Sequence, residues 1–274
     1  MTLSLNGTIL LAGAGKMGTA LVEGWLARGV PAASIIIQEP SLSAETAAVA
    51  KHHGLRVAPE IAALDAPPAV IVAAVKPQVM DAVFAPLAKL AGPETVVLSI
   101  AAGRSIASFE KHVAEGTAVV RAMPNTPAAI GRGITGAAGN AHLSDAQKAL
   151  CSALLGAVGD VVWVPDESLI DAVTAVSGSG PAYVFLLAEC LADAGVKAGL
   201  DRDTATKLAR ATVSGAGELL HRSKLPTETL HTNVTSPGGT TAAALGVLMR
   251  DDGLQPLLTE AVLAAKERGR VLGQ

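Results

Sequence analysis

Residues 8 to 24, TILLAGAGKMGTALVEG, constrain the fold of this 274-residue chain more than any other stretch. A short apolar run, Ile9-Leu10-Leu11, leads into Gly13-Ala14-Gly15-Lys16-Met17-Gly18, and a helical pattern then puts Ala20, Leu21 and Trp25 on one face. Strand, glycine turn, helix is the context in which GxGxxG holds a dinucleotide. Each glycine has its own physical task. Gly13 permits the tight turn, Gly15 lets a pyrophosphate approach where a Cβ would collide, and Gly18 lets the helix pack close to the strand. The helix start adds unpaired N–H groups and the positive end of a dipole. The rival reading is a glycine-rich turn that binds nothing. In a chain with 28 glycines the bare motif does not separate the two; the strand before it and the helix after it favour the cofactor.

The pattern then alternates. Strands are expected at 34–38, 55–57, 69–75, 95–100, 118–122, 133–139 and 161–164, with helices at 44–53, 79–89, 105–113 and 144–155 between them. The run AVIVAAV at 69–75 is apolar throughout, as a central parallel strand covered on both faces must be. Ligands of open α/β sheets lie outside the carboxyl ends of the strands. That places Ala74-Val75-Lys76-Pro77 beside the cofactor, although Lys76 also reads as an exposed loop lysine. Met123-Pro124-Asn125-Thr126-Pro127 ends another strand; its two prolines stiffen it either as a connector or as the edge of the site near the nicotinamide.

Glu39 follows the second strand, 21 residues after Gly18. An acid there contacts the ribose 2′-hydroxyl and favours NAD. The alternatives are a solvated loop acid, or a 2′-phosphate held by Ser41 and Ser43, with Ser43 also able to cap the next helix. His52 and His53 end that helix and suit its dipole better than a metal; no metal site is expected.

From Ser168 onward no strand is expected. Helices are predicted at 169–176, 181–198, 202–220, 227–234, 240–251 and 254–272, which sets the boundary between residues 1–165, a dinucleotide-binding Rossmann-like domain, and 166–274, an all-helical one. The fold class is therefore α/β, a doubly wound sheet followed by an all-α domain. Pro181 suits the first turn of a long helix. The segment after it, Ala182-Tyr183-Val184-Phe185-Leu186-Leu187, is apolar all round and should be buried all round. A small helical domain cannot do that alone, so a homodimer is expected. The longest uncharged stretch, Ala172 to Ala188, is broken by Ser177-Gly178-Ser179-Gly180-Pro181 and reads as an interface helix rather than a membrane span.

Composition narrows the partners. The net charge of −3 comes without a basic tail or cluster, which argues against nucleic acid. The amino-terminal residues lack the basic region of a signal peptide. Cys151 and Cys190 have no CxxC spacing and read as reduced core thiols of a cytoplasmic protein.

A second glycine-rich helix start lies at Ser236-Pro237-Gly238-Gly239-Thr240-Thr241. Adjacent glycines expose backbone N–H groups to an anion, so a substrate carboxylate is favoured over capping alone; without a GK[ST] ending it is not a nucleotide P-loop. No nucleophile–base pair and no HExxH is evident, and an enzyme whose cofactor carries the hydride needs neither.

Five stretches in order, GAGKMG at 13–18, AVKPQ at 74–78, RAMPNTP at 121–127, SGSGPAY at 177–183 and NVTSPGGTTAAAL at 233–245, resemble pyrroline-5-carboxylate reductase over nearly the whole chain. The resemblance implies a helical dimerisation domain, dimers often joined in a ring, and NADH or NADPH as donor. It implies reduction of (S)-1-pyrroline-5-carboxylate to L-proline, the last step of proline biosynthesis. It places the substrate carboxylate on Ser236, Gly238, Gly239 and Thr241, with Thr241 near the imine nitrogen. Together with the anion nest, the substrate set is Ser236, Gly238, Gly239, Thr240 and Thr241, and Thr241 is the catalytic candidate. The cofactor set is Gly13 to Gly18 with Ala74, Val75, Lys76, Pro77, Met123, Pro124 and Asn125. One departure is Ile61, which stands where some members carry an Asn touching the adenine-side ribose; with Glu39, it leaves NADH against NADPH open. A β-hydroxyacid dehydrogenase would begin similarly but carries a lysine in the long helix, and Ser177 to Cys190 has none. A non-catalytic dinucleotide-binding regulator would need no substrate nest. Catalysis is expected to depend on bringing the two glycine-rich helix starts together.

Overall fold

The computed structural model describes residues 5–272. Its first part is one eight-stranded sheet. In chain order the elements are β1 (Ile9–Ala12), α1 (Lys16–Ala27), β2 (Ile35–Gln38), α2 (Ala44–His53), β3 (Arg56–Ala58), β4 (Val70–Ala73), α3 (Met80–Ala88), β5 (Val96–Ser99), α4 (Ile106–Glu110), β6 (Ala118–Met123), β7 (Gly133–Gly139), α5 (Asp145–Leu155) and β8 (Gly159–Trp163). Helical elements follow: α6 (Ile170–Val173), a π-helical turn (Thr174–Gly178), α7 (Gly180–Lys197), α8 (Arg202–Arg222), α9 (Thr227–Asn233), α10 (Thr240–Leu248) and α11 (Leu254–Leu272).

The strand order is β3-β2-β1-β4-β5-β6-β7-β8. All pairs are parallel except β6 with β7. The order reverses between β1 and β4, so a crevice opens beyond their carboxyl ends. β1, β2, β4 and β5 are buried at every residue, which is why they read as unbroken apolar runs. Two clusters cover the two faces. One gathers Ile9, Leu11, Leu21, Trp25 and Leu154; the other gathers Leu10, Ile71, Phe84, Leu87 and Phe109. The Trp25 indole N–H donates to the Leu154 carbonyl at 2.9 Å, which ties α1 to α5. Phe84 and Phe109 meet edge to face, their centroids 4.9 Å apart, an arrangement worth about 1 kcal/mol beyond the area it buries.

All eight expected strands are present, with ends shifted by a few residues; β4 is shorter than expected because Ala74 and Val75 have already left the ladder. The helix expected at 169–176 is a four-residue α6 continued by the π turn, and the one expected at 105–113 stops at Glu110.

The chain divides into two compact units. One holds the described residues up to Gly178 and those from Ala265 onward, and the other is Ser179–Ala264. Within the second unit α7 and α8 pack together, and Gly195 sits close to Ala205 where a Cβ would be 3.2 Å from the alanine methyl. Much of the apolar surface of α7 stays uncovered in a single chain: Val184, Phe185, Leu186, Leu187 and Leu191 are all exposed. Cys190 lies exposed on this helix and is not the core thiol its apolar surroundings suggested, because that face of α7 is open among the described residues. Cys151 is buried, and that burial pushes its thiol up to about 12.

Candidate active site

The glycine turn sits at the switch point. Gly13 takes a left-handed φ of +96°, and its N–H donates to the Gln38 carbonyl at 2.9 Å. A Cβ on Gly13 would meet the Ala74 backbone at 2.8 Å, and one on Gly18 would meet the Gly13 oxygen at 2.4 Å. These two glycines exist for close packing. Gly15 differs. It is exposed, and nothing lies within 4 Å of where its Cβ would be. The backbone at Gly15 is therefore open to close approach from outside, as a bound pyrophosphate would require. Gly15 also immediately precedes α1, and no side chain caps that helix, so its first N–H groups are open.

The Ala14 peptide is clamped from both sides. Its N–H donates to Glu39 Oε2 at 3.0 Å. Its carbonyl lies 3.2 Å from the Thr19 hydroxyl and 3.3 Å from that of Thr46, and the two hydroxyls are 2.9 Å apart. The spacing of the sequence motif contains no hint of Thr19 or Thr46. The available signal is that Ser43 caps α2, its Oγ accepting from the Thr46 N–H at 3.1 Å, which turns the first turn of α2 towards the glycine loop. Ser43 is thus a helix cap. Ile61 is buried, packs in the core beneath the sheet, and donates its N–H to Gln38 Oε1 at 2.8 Å.

Ala74 and Val75 leave β4 beside Gly13, with the Ala74 N–H donating to the Ala12 carbonyl at 2.8 Å. Lys76 is exposed and Pro77 opens a short 3-10 turn. Met123 ends β6 and Pro124 is buried. Asn125 is also buried, and both ends of its carboxamide are engaged. Nδ2 donates to the Ser177 carbonyl at 3.1 Å, and Oδ1 accepts from the Ile134 N–H at 3.0 Å. Asn125 therefore fixes the π turn at the end of β6. Gly178 closes the same joint, since a Cβ there would meet the Met123 methyl at 2.9 Å. Arg121, buried on β6, holds the preceding turn with a forked pair to Glu167 and Asp171, both at 3.1 Å. These residues lie in or near the RAMPNTP and SGSGPAY stretches and account for much of their character.

In the second unit, Ser236 to Gly239 form a turn in which Gly238 is left-handed at +67° and the Gly239 N–H donates to the Ser236 carbonyl at 3.0 Å. The adjacent glycines are expected to expose their N–H groups to a carboxylate, but that of Gly239 is used within the turn. α10 starts at Thr240 with no side-chain cap. The uncapped helix start leaves the Thr240, Thr241 and Ala242 N–H groups without intrahelical partners, and Ala242 lies outside the expected set. Ser236, Gly238 and Thr240 are exposed and Thr241 half-buried.

A mostly parallel sheet whose switch point carries a glycine turn, an uncapped helix start and open space over the middle glycine is the architecture of the dinucleotide-binding proteins. Comparison with known proteins narrows the class. The family model of pyrroline-5-carboxylate reductase dimerisation matches residues 167–272, and that of NADP oxidoreductase coenzyme F420-dependent matches residues 8–103. Pyrroline-5-carboxylate reductase of Pseudomonas aeruginosa is 42% identical over 266 residues, covering 97% of both chains. That of Synechocystis is 43% identical over 96% of this chain and 97% of the relative. The structure of a pyrroline-5-carboxylate reductase from Coxiella burnetii superposes with a TM-score of 0.90 at 33% identity, covering 98% of this chain and 99% of that one. The Plasmodium falciparum enzyme with NADP bound gives 0.77 at 29% identity, with the same coverage. The chain belongs to the pyrroline-5-carboxylate reductase family. It is an oxidoreductase that reduces the C=N bond of (S)-1-pyrroline-5-carboxylate to L-proline with a nicotinamide cofactor, the last step of proline biosynthesis, and it self-associates through its helical domain. Self-association explains the uncovered α7: residues 167–197 contain a helix apolar and long enough to cross a membrane by composition, yet they fall within the dimerisation match.

Proposed function

We propose the following division of work among the residues. The cofactor is held by Gly13, Ala14, Gly15, Lys16, Met17 and Gly18, flanked by Ala74, Val75, Lys76 and Pro77, and by the turn Met123-Pro124-Asn125. Asn125 contributes by holding that turn rather than by giving up its carboxamide. When bound, the reduced nicotinamide supplies the hydride. The substrate carboxylate rests on the turn Ser236, Gly238 and Gly239 and on the amides of Thr240 and Thr241. The observation that carries this reading is the start of α10, where a left-handed glycine precedes a helix with no side-chain cap. Such a start satisfies a carboxylate with N–H donors and dipole together.

Thr241 hydrogen-bonds the imine nitrogen through its hydroxyl. A protonated imine is the better hydride acceptor, since positive charge on nitrogen draws the hydride to carbon. A hydroxyl is too weak an acid to supply that proton on its own, so water is its source and Thr241 orients the exchange. Cys151 is excluded from acid–base work because its raised thiol stays protonated and buried. The functional boundary lies between residues 165 and 166, cofactor domain before and substrate and dimerisation domain after. The dimers assemble further into a ring, and the protein works in the cytoplasm.

Cofactor oxidation with pyrroline-5-carboxylate, run with purified Thr241→Ala beside the unaltered enzyme, tests the assignment. Turnover is expected to fall about tenfold to hundredfold, the worth of a hydrogen bond to a charged group, with cofactor affinity unchanged. Unchanged turnover excludes the role.

A further inference from the structure

We propose that Glu39 makes this enzyme prefer NADH: its carboxylate takes the hydroxyls of the adenosine ribose and turns away a ribose 2′-phosphate. The inference rests on the glycine turn being the cofactor site, and it runs against what the relatives suggest, since one matching family model and the Plasmodium structure both carry NADP in their descriptions.

Position comes first. Glu39 directly follows β2, next to the glycine turn, because the Gly13 N–H bonds the carbonyl of the preceding Gln38. Its backbone is fixed by its own N–H donating to the Ala58 carbonyl at 3.0 Å. Its side chain is fixed at both oxygens. Oε2 accepts the Ala14 N–H at 3.0 Å, and Oε1 accepts the Ser41 N–H at 3.1 Å. A solvated loop acid would not be held this way. The carboxylate is oriented by the same loop that forms the pyrophosphate cradle.

Chemistry comes second. An ionised carboxylate only accepts hydrogen bonds, so a partner must bring donors. Ribose hydroxyls do. A phosphate near pH 7 carries most of two negative charges and offers acceptors only. It would face a pinned carboxylate with no bond to make.

The surroundings come third. A 2′-phosphate is accommodated by a nearby arginine, and Glu39 to Glu45, EPSLSAE, contains no basic residue. Of the hydroxyls that might have served, Ser43 caps α2 and Thr46 bonds the Ala14 carbonyl, Thr19 and Ser43; Ser41 gives its N–H to Glu39, and its hydroxyl brings no positive charge to offset the carboxylate beside it. Arg56 pairs with Ile36 in the ladder and starts β3, whereas Glu39 follows the opposite end of that pairing, at Ala58. Lys16 is exposed in the first turn of α1, where the pyrophosphate is expected.

The test is equilibrium binding by titration calorimetry on the full-length enzyme, with NADH, NADPH, ADP-ribose and 2′-phospho-ADP-ribose as probes. The last pair reads the adenosine end without any hydride chemistry. The unaltered enzyme is expected to bind NADH and ADP-ribose about tenfold to hundredfold tighter than their phosphorylated counterparts, the worth of charge-assisted hydrogen bonds lost. Glu39→Gln keeps an oxygen for the Ala14 N–H and removes the charge; it should shrink that ratio at least tenfold. Ser41→Arg leaves Glu39 in place, adds the missing cation, and should shift the ratio in the same direction. Raising salt should narrow the ratio in the unaltered enzyme. Equal or tighter binding of NADPH by the unaltered enzyme, or a ratio that Glu39→Gln leaves unmoved while both cofactors still bind, overturns the preference alone. Failure of all four probes to bind overturns the preference and the cofactor site together.

Discussion

Asn125→Ala should be among the more destabilising single changes in the first unit, although it removes only a few atoms. The side chain bridges two segments far apart in sequence, the Ser177 carbonyl on one side and the Ile134 N–H on the other. Asn125 is itself buried, so its truncation leaves a carbonyl and an amide without their partner. Each such orphan costs about 1–3 kcal/mol, which puts the total at roughly 2–4 kcal/mol once some relaxation is allowed. For a unit of this size that corresponds to a fall in Tm of the order of 5–10 °C. Asn125→Asp separates the two ends of the bridge. Aspartate retains an acceptor for Ile134 but sets a carboxylate against the Ser177 carbonyl, so it should be no more stable than the alanine variant. Thermal unfolding at one fixed protein concentration, needed because the protein self-associates, gives the ranking. Hydrogen exchange at the Ile134 amide gives the local reading, and it should speed up in the alanine variant. An alanine variant within about 0.5 kcal/mol of the parent, or an aspartate variant as stable as asparagine, would show that the bridge does not hold the π turn.

Two further changes separate fold from ligand. Gly15→Ala adds a methyl into open space, so Tm should hold while NADH affinity drops by about tenfold or more. Gly18→Ala drives a methyl against the Gly13 carbonyl oxygen, so both stability and affinity should fall; equal behaviour of the two variants in calorimetry and thermal melting would refute the division. Asp81 gives a pH signature. A hydrogen bond from Arg104, and a second from His112, hold its carboxyl below the usual range. A carboxyl whose folded pKa lies below its unfolded one adds stability above the unfolded value, and that stability is lost as pH falls through the folded value. Asp81→Asn should therefore cost a little at pH 7, about 0.5 kcal/mol or less for so exposed a pair, and nothing in acid strong enough to protonate the parent carboxyl below its lowered value. Denaturant titrations at both pH values would show a constant difference if the pairing were irrelevant.

The sheet was legible because a parallel strand buried on both faces has to be apolar at every position, and IIIQ, VIVA and VVLS are nearly so. The glycine turn was legible for a related reason: close packing at Gly13 and Gly18 leaves no choice of residue. What the pattern could not carry are contacts between side chains and distant backbone. Nothing in the spacing of Thr19 and Thr46, 27 residues apart, says that both hydroxyls meet the Ala14 carbonyl. Asn125 shows the same limit from the other direction. Its place at a strand end marked it as a cofactor contact, and its carboxamide is spent on Ser177 and Ile134. The π turn was also hidden, because its residues suit an α-helix equally well, and only the anchoring of Ser177 and Gly178 against Asn125 and Met123 distinguishes the two. The two helix starts make the same point: no side chain caps either α1 or α10, so the groups left open there are backbone N–H groups, and the sequence marks them only through the glycines that leave them uncovered.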